Sequence, residues 1–371
     1  MDFDFTDEQE QIRSAVRNWV TKQYDFSRRR GIISDGGFSR QAYGELAELG
    51  LLAIYAPEKY GGLGMGPIEA MIAMEELGRG VALEPLSQAF IACVVLSTYA
   101  PESMAASIVP DIASGAQLVV FAHQETDARY GCESRTEAIN APGGGYTISG
   151  TKSLVPVGDE ADRYIASAML DGRIALFMVE RQANGVETTA YPTQDGARAA
   201  EVKFQASPAE LLTLNGSSAI DHASSIGLTA ACAEAVGVMD KTLEATADYL
   251  NTRKQFRVAI GSFQALRHRV ADMKMQLELA RSMSYYATLK VQSPAAERRH
   301  ALARAKYQVG QSMRFVGQQA VQLHGGIGMT DEYIVSHYFR KLTQLEFAYG
   351  DTLYQLAQVS ASMQDDAGVI T

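Results

Sequence analysis

Three stripes of apolar residues at helical spacing run through the chain beyond residue 211, and they constrain its fold more than any other feature. Ile226, Ala230, Ala233, Gly237, Leu243, Ala247 and Leu250 fall on one face of a long helix. Leu266, Val270, Met273, Leu277 and Ala280 mark a second helix. Leu302, Ala305, Val309, Val316, Ala320 and Leu323 mark a third, which Gly325-Gly326 would end. Helices of this kind bury their stripes against one another, so the segment reads as a helix bundle.

Upstream the period changes twice. Through about residue 115 it is helical. Thr6 and Gln9 have the spacing of a capping box, ahead of a helix through Ile12, Val16 and Val20. Phe38 to Leu49 predicts a second helix, stopped by Gly50, and Ile68 to Leu77 a third. Between them the glycines of Tyr60-Gly61-Gly62-Leu63-Gly64 mark a loop. The apolar run from Ala89 to Leu96 is too short to span a bilayer and reads as a buried helix. From about Gln117 to Pro208 short strands are predicted at Leu118 to Ala122, Tyr146 to Ile148, Tyr164 to Leu170 and Arg173 to Val179. Asp171-Gly172 between the last two predicts a type I′ hairpin turn, which needs positive φ at both positions. Three domains are expected: helical over 1–115, β over 116–210 and helical over 211–371.

A chain of 371 residues is too long for one comfortable core, which agrees with that division. Its net charge of −10 argues against nucleic acid or an anionic membrane as partner, although a basic pocket for a phosphorylated ligand fits within an acidic protein. Cys93, Cys132 and Cys232 are far apart and read as reduced, buried thiols of a cytoplasmic protein. The six histidines form no ligand-spaced cluster, so no metal site is expected. The acidic start carries no visible secretory or mitochondrial leader.

Two segments of the last domain go beyond architecture. One is Arg253-Lys254-Gln255-Phe256-Arg257 with Ile260, Phe263-Gln264 and Ala271-Asp272-Met273; the other runs from Gln322 through Gly325, Gly326 and Gly328 to Tyr333. Together they resemble the acyl-CoA dehydrogenase family, whose C-terminal domain carries Arg-x-Gln-Phe-Gly-x-x-Ile-x-x-Phe-Gln and Gln-x-x-Gly-Gly-x-Gly-Tyr-Thr. The resemblance spans essentially the whole chain. It implies an α+β fold with an N-terminal helical domain, a central β-barrel-like domain and a C-terminal four-helix bundle. It also implies FAD as cofactor, an acyl-CoA thioester as substrate and an electron-transfer flavoprotein as acceptor. By the same resemblance Arg253 contacts the FAD pyrophosphate, with Gln255, Phe256, Phe263 and Gln264 beside it, and Gln322, Gly325 and Gly326 line the adenosine end. In the family these groups reach the FAD of a neighbouring subunit.

The family's proton-abstracting glutamate is missing. Its usual position holds Tyr349, and the position used by a minority of the family holds Gly227. The CoA-contacting Asp-x-x-Arg becomes Ser225 and Leu228. The flavin-facing Thr-Glu-Pro-x-x-Gly-Ser-Asp becomes Gln124-Glu125-Thr126-Asp127-Ala128-Arg129-Tyr130, and Gly-x-Lys-x-Trp-Ile-Thr becomes Gly150 to Pro156. Proline cannot donate the backbone hydrogen bond that threonine offers. Arg257 stands where the retained motif has glycine. This asymmetry resembles the small, non-catalytic subunit of bacterial α2β2 two-gene acyl-CoA dehydrogenases, pimeloyl-CoA dehydrogenases among them, some of which act on steroid side chains. No residue of this chain is then catalytic, and it completes the FAD site of a catalytic chain. A second reading is a self-sufficient homotetramer using Asp351 or Glu346 as base, two residues that otherwise read as surface carboxylates. A third is a scaffold or regulator without flavin.

Overall fold

The protein is described by a computed structural model that places residues 5–127, 130–131, 133–141 and 143–367, the last four by backbone alone. Cys132, Ala128 and Arg129, each part of an expectation above, lie outside the described residues. Among the described residues helices come first: α1 (Asp7–Lys22), α2 (Phe26–Ser34), α3 (Arg40–Glu48), α4 (Pro67–Arg79), α5 (Leu86–Tyr99) and α6 (Glu102–Ala113). Strands follow: β1 (Val119–Ala122), β2 (Glu137–Asn140), β3 (Tyr146–Pro156), β4 (Arg163–Leu170), β5 (Arg173–Glu180), β6 (Val186–Pro192) and β7 (Arg198–Thr213). The chain then runs through α7 (Gly216–Thr252), a hairpin of β8 (Lys254–Gln255) and β9 (Val258–Ala259), α8 (Gln264–Lys290), α9 (Ala295–His324), α10 (Ile334–Phe347) and α11 (Thr352–Ala367). This is the α+β fold expected from the sequence, a helical domain, a strand region and a second helical domain.

By compactness the chain divides into two units, one formed by Met1–Arg29, Pro67–Ala82 and Leu228–Thr371, the other by Arg30–Gly66 and Leu83–Gly227. In the first unit the capping box forms as predicted. The Thr6 hydroxyl accepts from the Gln9 backbone, and the Gln9 side chain accepts in turn from the Thr6 N–H. α1 buries Val16 and Trp19 and packs on α4. α9 is the central helix of the bundle, in contact with α8, α10 and α11. Its predicted stripe of Leu302, Ala305, Val309, Val316, Ala320 and Leu323 is buried, each large member contributing about 1.5–3 kcal/mol relative to exposure. α4 crosses α7 at two glycines: a Cβ on Gly237 would overlap the Glu75 backbone, and one on Gly78 the Glu234 backbone. At this crossing the buried Glu75 pairs with Arg281, and Arg79 pairs with Asp240.

In the second unit the strands form a sheet that closes on itself. β4 pairs with β2 and β5, β2 with β3, β3 with β7, and β7 with β5; β1 pairs with β4 and β6 with β7. The Asp171-Gly172 turn has positive φ at both residues (48° and 76°), which sets the register Leu170↔Arg173. β2, β6 and β7 were not expected. β7 contains Pro208 and several alanines, residues depleted in strands, and it continues past residue 210. The helix α5 is buried along most of its length, as its apolar run predicts. Cys93 and Cys232 are buried free thiols.

Candidate cofactor-facing surface

α7 ends at Thr252, and the backbone turns back on itself at once. Arg253 donates its N–H to Tyr249 O at 2.8 Å and accepts from Ile260 N–H at 2.9 Å, which closes the neck of the β8–β9 hairpin. The two residues at its tip, Phe256 and Arg257, have φ of +50° and +67°. Phe256 is 86% exposed, its ring edge-on to that of Phe263 at 6.2 Å. Arg253, Lys254, Gln255, Arg257 and Gln264 are also exposed. None of the three cations in this hairpin has an acidic partner among the described residues.

A second segment meets this one through a ring stack. The imidazole of His324 lies on Tyr249 at 4.5 Å and beside Tyr333 at 5.3 Å. Arg269 near the start of α8 donates to Gln319 of α9 at 2.8 Å. The end of α9 is thereby fixed beside the end of α7, and Gly325-Gly326 follow it. Gly325 has φ +65° and caps α9, so glycine has a conformational reason to be there. Both glycines face open space, and Gln322, Ile327 and Met329 beside them are exposed. Arg253, Gln255, Phe256, Phe263, Gln264, Gln322, Gly325 and Gly326 thus all lie exposed in the first compact unit, in two segments tied together by Tyr249. Guanidinium and ammonium groups that make no ion pair among the described residues, with amides beside them, suit a diphosphate, and glycines without Cβ atoms suit close approach of a nucleoside. The donor set fits the pyrophosphate–adenosine half of a dinucleotide.

The segment between α10 and α11 holds the position of the expected base. Tyr349 sits there with φ +56°, followed by Gly350 at +101°. Lys306, fully buried on α9, donates to Glu346 O at 2.8 Å and to Gly350 O at 3.2 Å. Burial pushes its ammonium down to about 8. Glu346, expected at the surface, is buried instead. Its Oε1 accepts from Thr352 N–H (3.1 Å), Thr352 Oγ1 (2.6 Å) and Arg314 Nη2 (3.0 Å). The burial follows from this anchor, which joins the end of α10 to the start of α11. Asp351 accepts from Tyr354 N–H at 2.8 Å and so caps α11. Both carboxylates are occupied in holding the chain.

In the second unit Gly227 is buried on α7, and Ser225 bonds back to Asp221 O at 2.7 Å. The eroded motifs retain three letters, Glu125, Gly150 and Lys152, and the acid and the amine meet. The Lys152 ammonium lies 2.6 Å from Glu125 Oε1 and 3.0 Å from both Ser134 and Ser167 hydroxyls. Burial would raise the Glu125 carboxyl, but hydrogen bonds from Lys152, Arg135 N–H and Thr136 outweigh it and hold the group at about 2. Sequence reasoning recorded what these motifs had lost and missed this pair; the surviving acid and base at family positions were the available signal. Thr126 and Ser153 keep hydroxyls 2.8 Å apart at the surface, whereas Pro156 ends β3 without a donor.

Two family models match the chain. "Acyl-CoA dehydrogenase, N-terminal domain" covers residues 6–116 and "Acyl-CoA dehydrogenase, C-terminal domain" residues 215–364. Among curated relatives, the acyl-CoA dehydrogenase FadE27 of Mycobacterium tuberculosis is 26% identical, the alignment covering 88% of this chain and 89% of that one. Among solved structures, a variant of the Tcur3481–Tcur3483 steroid ACAD is 26% identical with a TM-score of 0.90, over 97% of this chain and 99% of that one. The ChsE4–ChsE5 complex from Mycobacterium tuberculosis is 25% identical with a TM-score of 0.87, over 98% and 99%.

Proposed function

This chain belongs to the acyl-CoA dehydrogenase family, and from that premise we propose that it is the accessory chain of an FAD-dependent enzyme that desaturates an acyl-CoA thioester between the α and β carbons. One asymmetry carries the reading. The groups suited to a neighbour's dinucleotide are exposed, and Arg253 among them has no acidic partner among the described residues, while the base position holds Tyr349 and the nearest carboxylates are tied into structure. A phenol, with a reference pKa near 10, is a poor acceptor for a carbon acid's proton at neutral pH.

When bound, FAD supplies the hydride acceptor that no side chain provides. The Arg253 fork and the Gln255 and Gln322 amides hold the diphosphate and adenosine end of the cofactor. Phe256 and Phe263 exclude water from it, and Gly325 and Gly326 let the backbone approach. The α-proton goes to a carboxylate on the catalytic chain. Electrons leave to an electron-transfer flavoprotein, the acceptor implied by the family. The ChsE4–ChsE5 relative is named as a complex of two chains, which supports a heterotetramer, and the steroid ACAD supports a bulky acyl group as substrate. Among the described residues no helix is long and apolar enough to cross a membrane, in keeping with the cytoplasmic assembly we propose.

The test is to purify the chain alone and together with a catalytic acyl-CoA dehydrogenase chain encoded beside it. Alone it should bind little flavin and reduce no acceptor. In the mixed assembly Arg253→Ala should lower flavin occupancy, since losing a charged contact at a desolvated interface costs roughly 2–5 kcal/mol. A homo-oligomer turning over at about 1–10³ s⁻¹, or unchanged flavin binding in the variant, would overturn the reading.

A further inference from the structure

The tip of the β8–β9 hairpin is built against the preference of its own backbone. A type I′ turn places both central residues in the left-handed region, where asparagine or glycine is usual. Here the two are Phe256 at +50° and Arg257 at +67°. Strained non-glycine residues persist where something other than stability holds them, and they cluster at ligand contacts. Arg257 is exposed and has no acidic partner among the described residues.

Its surroundings say what would attract it. From Arg253 to Arg269 there are five arginines and lysines, with His268, and no acid, in a chain whose net charge is −10. Arg267 and Arg269 sit near the N-terminus of α8, where the helix dipole repels cations, and each is retained by a hydrogen bond, to Gly261 O and to Gln319. Arg253, Lys254 and Arg257 make no ion pair among the described residues and stand exposed on the hairpin.

We infer that Arg257 is a second anion-binding residue of the hairpin, sharing with Arg253 a diphosphate ester carried by the neighbouring chain. This rests on the reading of this face as one lent to a partner's dinucleotide. Arg253 stands at the neck of the hairpin and Arg257 at its tip, with the exposed Phe256 ring between them in sequence. Two guanidiniums then share the two negative charges of one diphosphate, a distribution that a glycine at 257 could not supply.

The decisive variant is Arg257→Gly, because its two expected effects have opposite sign. Relief of the left-handed strain should raise the melting temperature of this chain alone by about 2–4 °C. Loss of the charged donors should weaken FAD retention in the mixed assembly about 10- to 100-fold, read by flavin fluorescence on dilution rather than by activity. Arg257→Lys keeps the charge but not the fork and should fall between. A higher melting temperature with unchanged flavin affinity would overturn the inference, and so would a lower melting temperature. Arg253→Ala separates the levels. If it alone releases flavin, the partner reading stands and Arg257 has no part in it; if neither variant does, the reading fails as well.

Discussion

Lys152 meets Glu125 with 2.6 Å between Nζ and Oε1, and neither side chain reaches solvent to any useful extent (0% and 7%). A buried pair of this kind is weak evidence for net stability, but breaking it strands a charge. Lys152→Met should therefore destabilise the protein by about 3–5 kcal/mol. The double variant Glu125→Gln/Lys152→Met should lose less than the sum of the two single changes. Urea unfolding of the four proteins completes the cycle, and strictly additive losses would show that the groups do not act as a pair.

The same cluster makes the protein sensitive to acid. His123 shares its Nδ1 with Ser167 Oγ at 2.8 Å and its Nε2 with Gly131 O at 3.0 Å. Burial first, then the Lys152 cation, holds its pKa at about 4, below the reference of 6.5. The unfolded chain thus binds more protons between pH 6.5 and 4, so the contribution is fully present above 6.5 and is lost as pH falls through 4. It amounts to roughly 3 kcal/mol at most. Denaturation at pH 7.5, 5.5 and 4.5 should show the decline, and His123→Gln should make it shallower. Part of the slope will remain, because burial also lowers His324 and His337. A wild-type stability that is flat over this range would contradict the account.

Gly237 tests the helix crossing. On an open helix, glycine to alanine stabilises by about 0.8–1 kcal/mol. At this site the new methyl would overlap the Glu75 backbone, so Gly237→Ala should instead destabilise by about 1–3 kcal/mol. Calorimetry distinguishes the two by the sign of the melting-temperature change.

Tyr349→Glu asks whether the missing base is all that the active site lacks. If so, the variant should bleach flavin in a single turnover with some acyl-CoA. We expect no bleaching. By the resemblance Leu228 stands where the family has a CoA-facing arginine, Pro156 offers no N–H, and a base accelerates only a substrate already in position. Rapid bleaching by the variant alone would make this chain a catalytic subunit with one substitution.

Much of this was legible because the signals were local. The stripe of Leu302 to Leu323, the Asp171-Gly172 turn and the Thr6–Gln9 capping box each involve neighbours within one or two turns. β7 was not legible, since its alanines and Pro208 argue against a strand and only pairing with β3, β5 and β6 stabilises it. α2 was hidden by three arginines and Gly31 within nine residues. At the site, the two motifs were readable as letters, but their junction through Tyr249 and His324 spans 75 residues of sequence and leaves no local trace. The burial of Glu346 depends likewise on Arg314 and Thr352. Arg257 was visible as a substitution for glycine; that it keeps glycine's backbone angle was not.

The unit that contains α1 also requires Leu228 and everything after it, which sets an order of events during synthesis. Residues 30–66 and 83–227, the whole of the other unit, leave the ribosome before the bundle exists. α1 and α4 can pair early, but α8, on which α4 packs, ends about 200 residues later, a delay of roughly 10–40 s at about 5–20 residues per second. Through that interval the face that α4 turns to α8 is unfinished, so a helix made early in this unit is among the last to be fully sheltered.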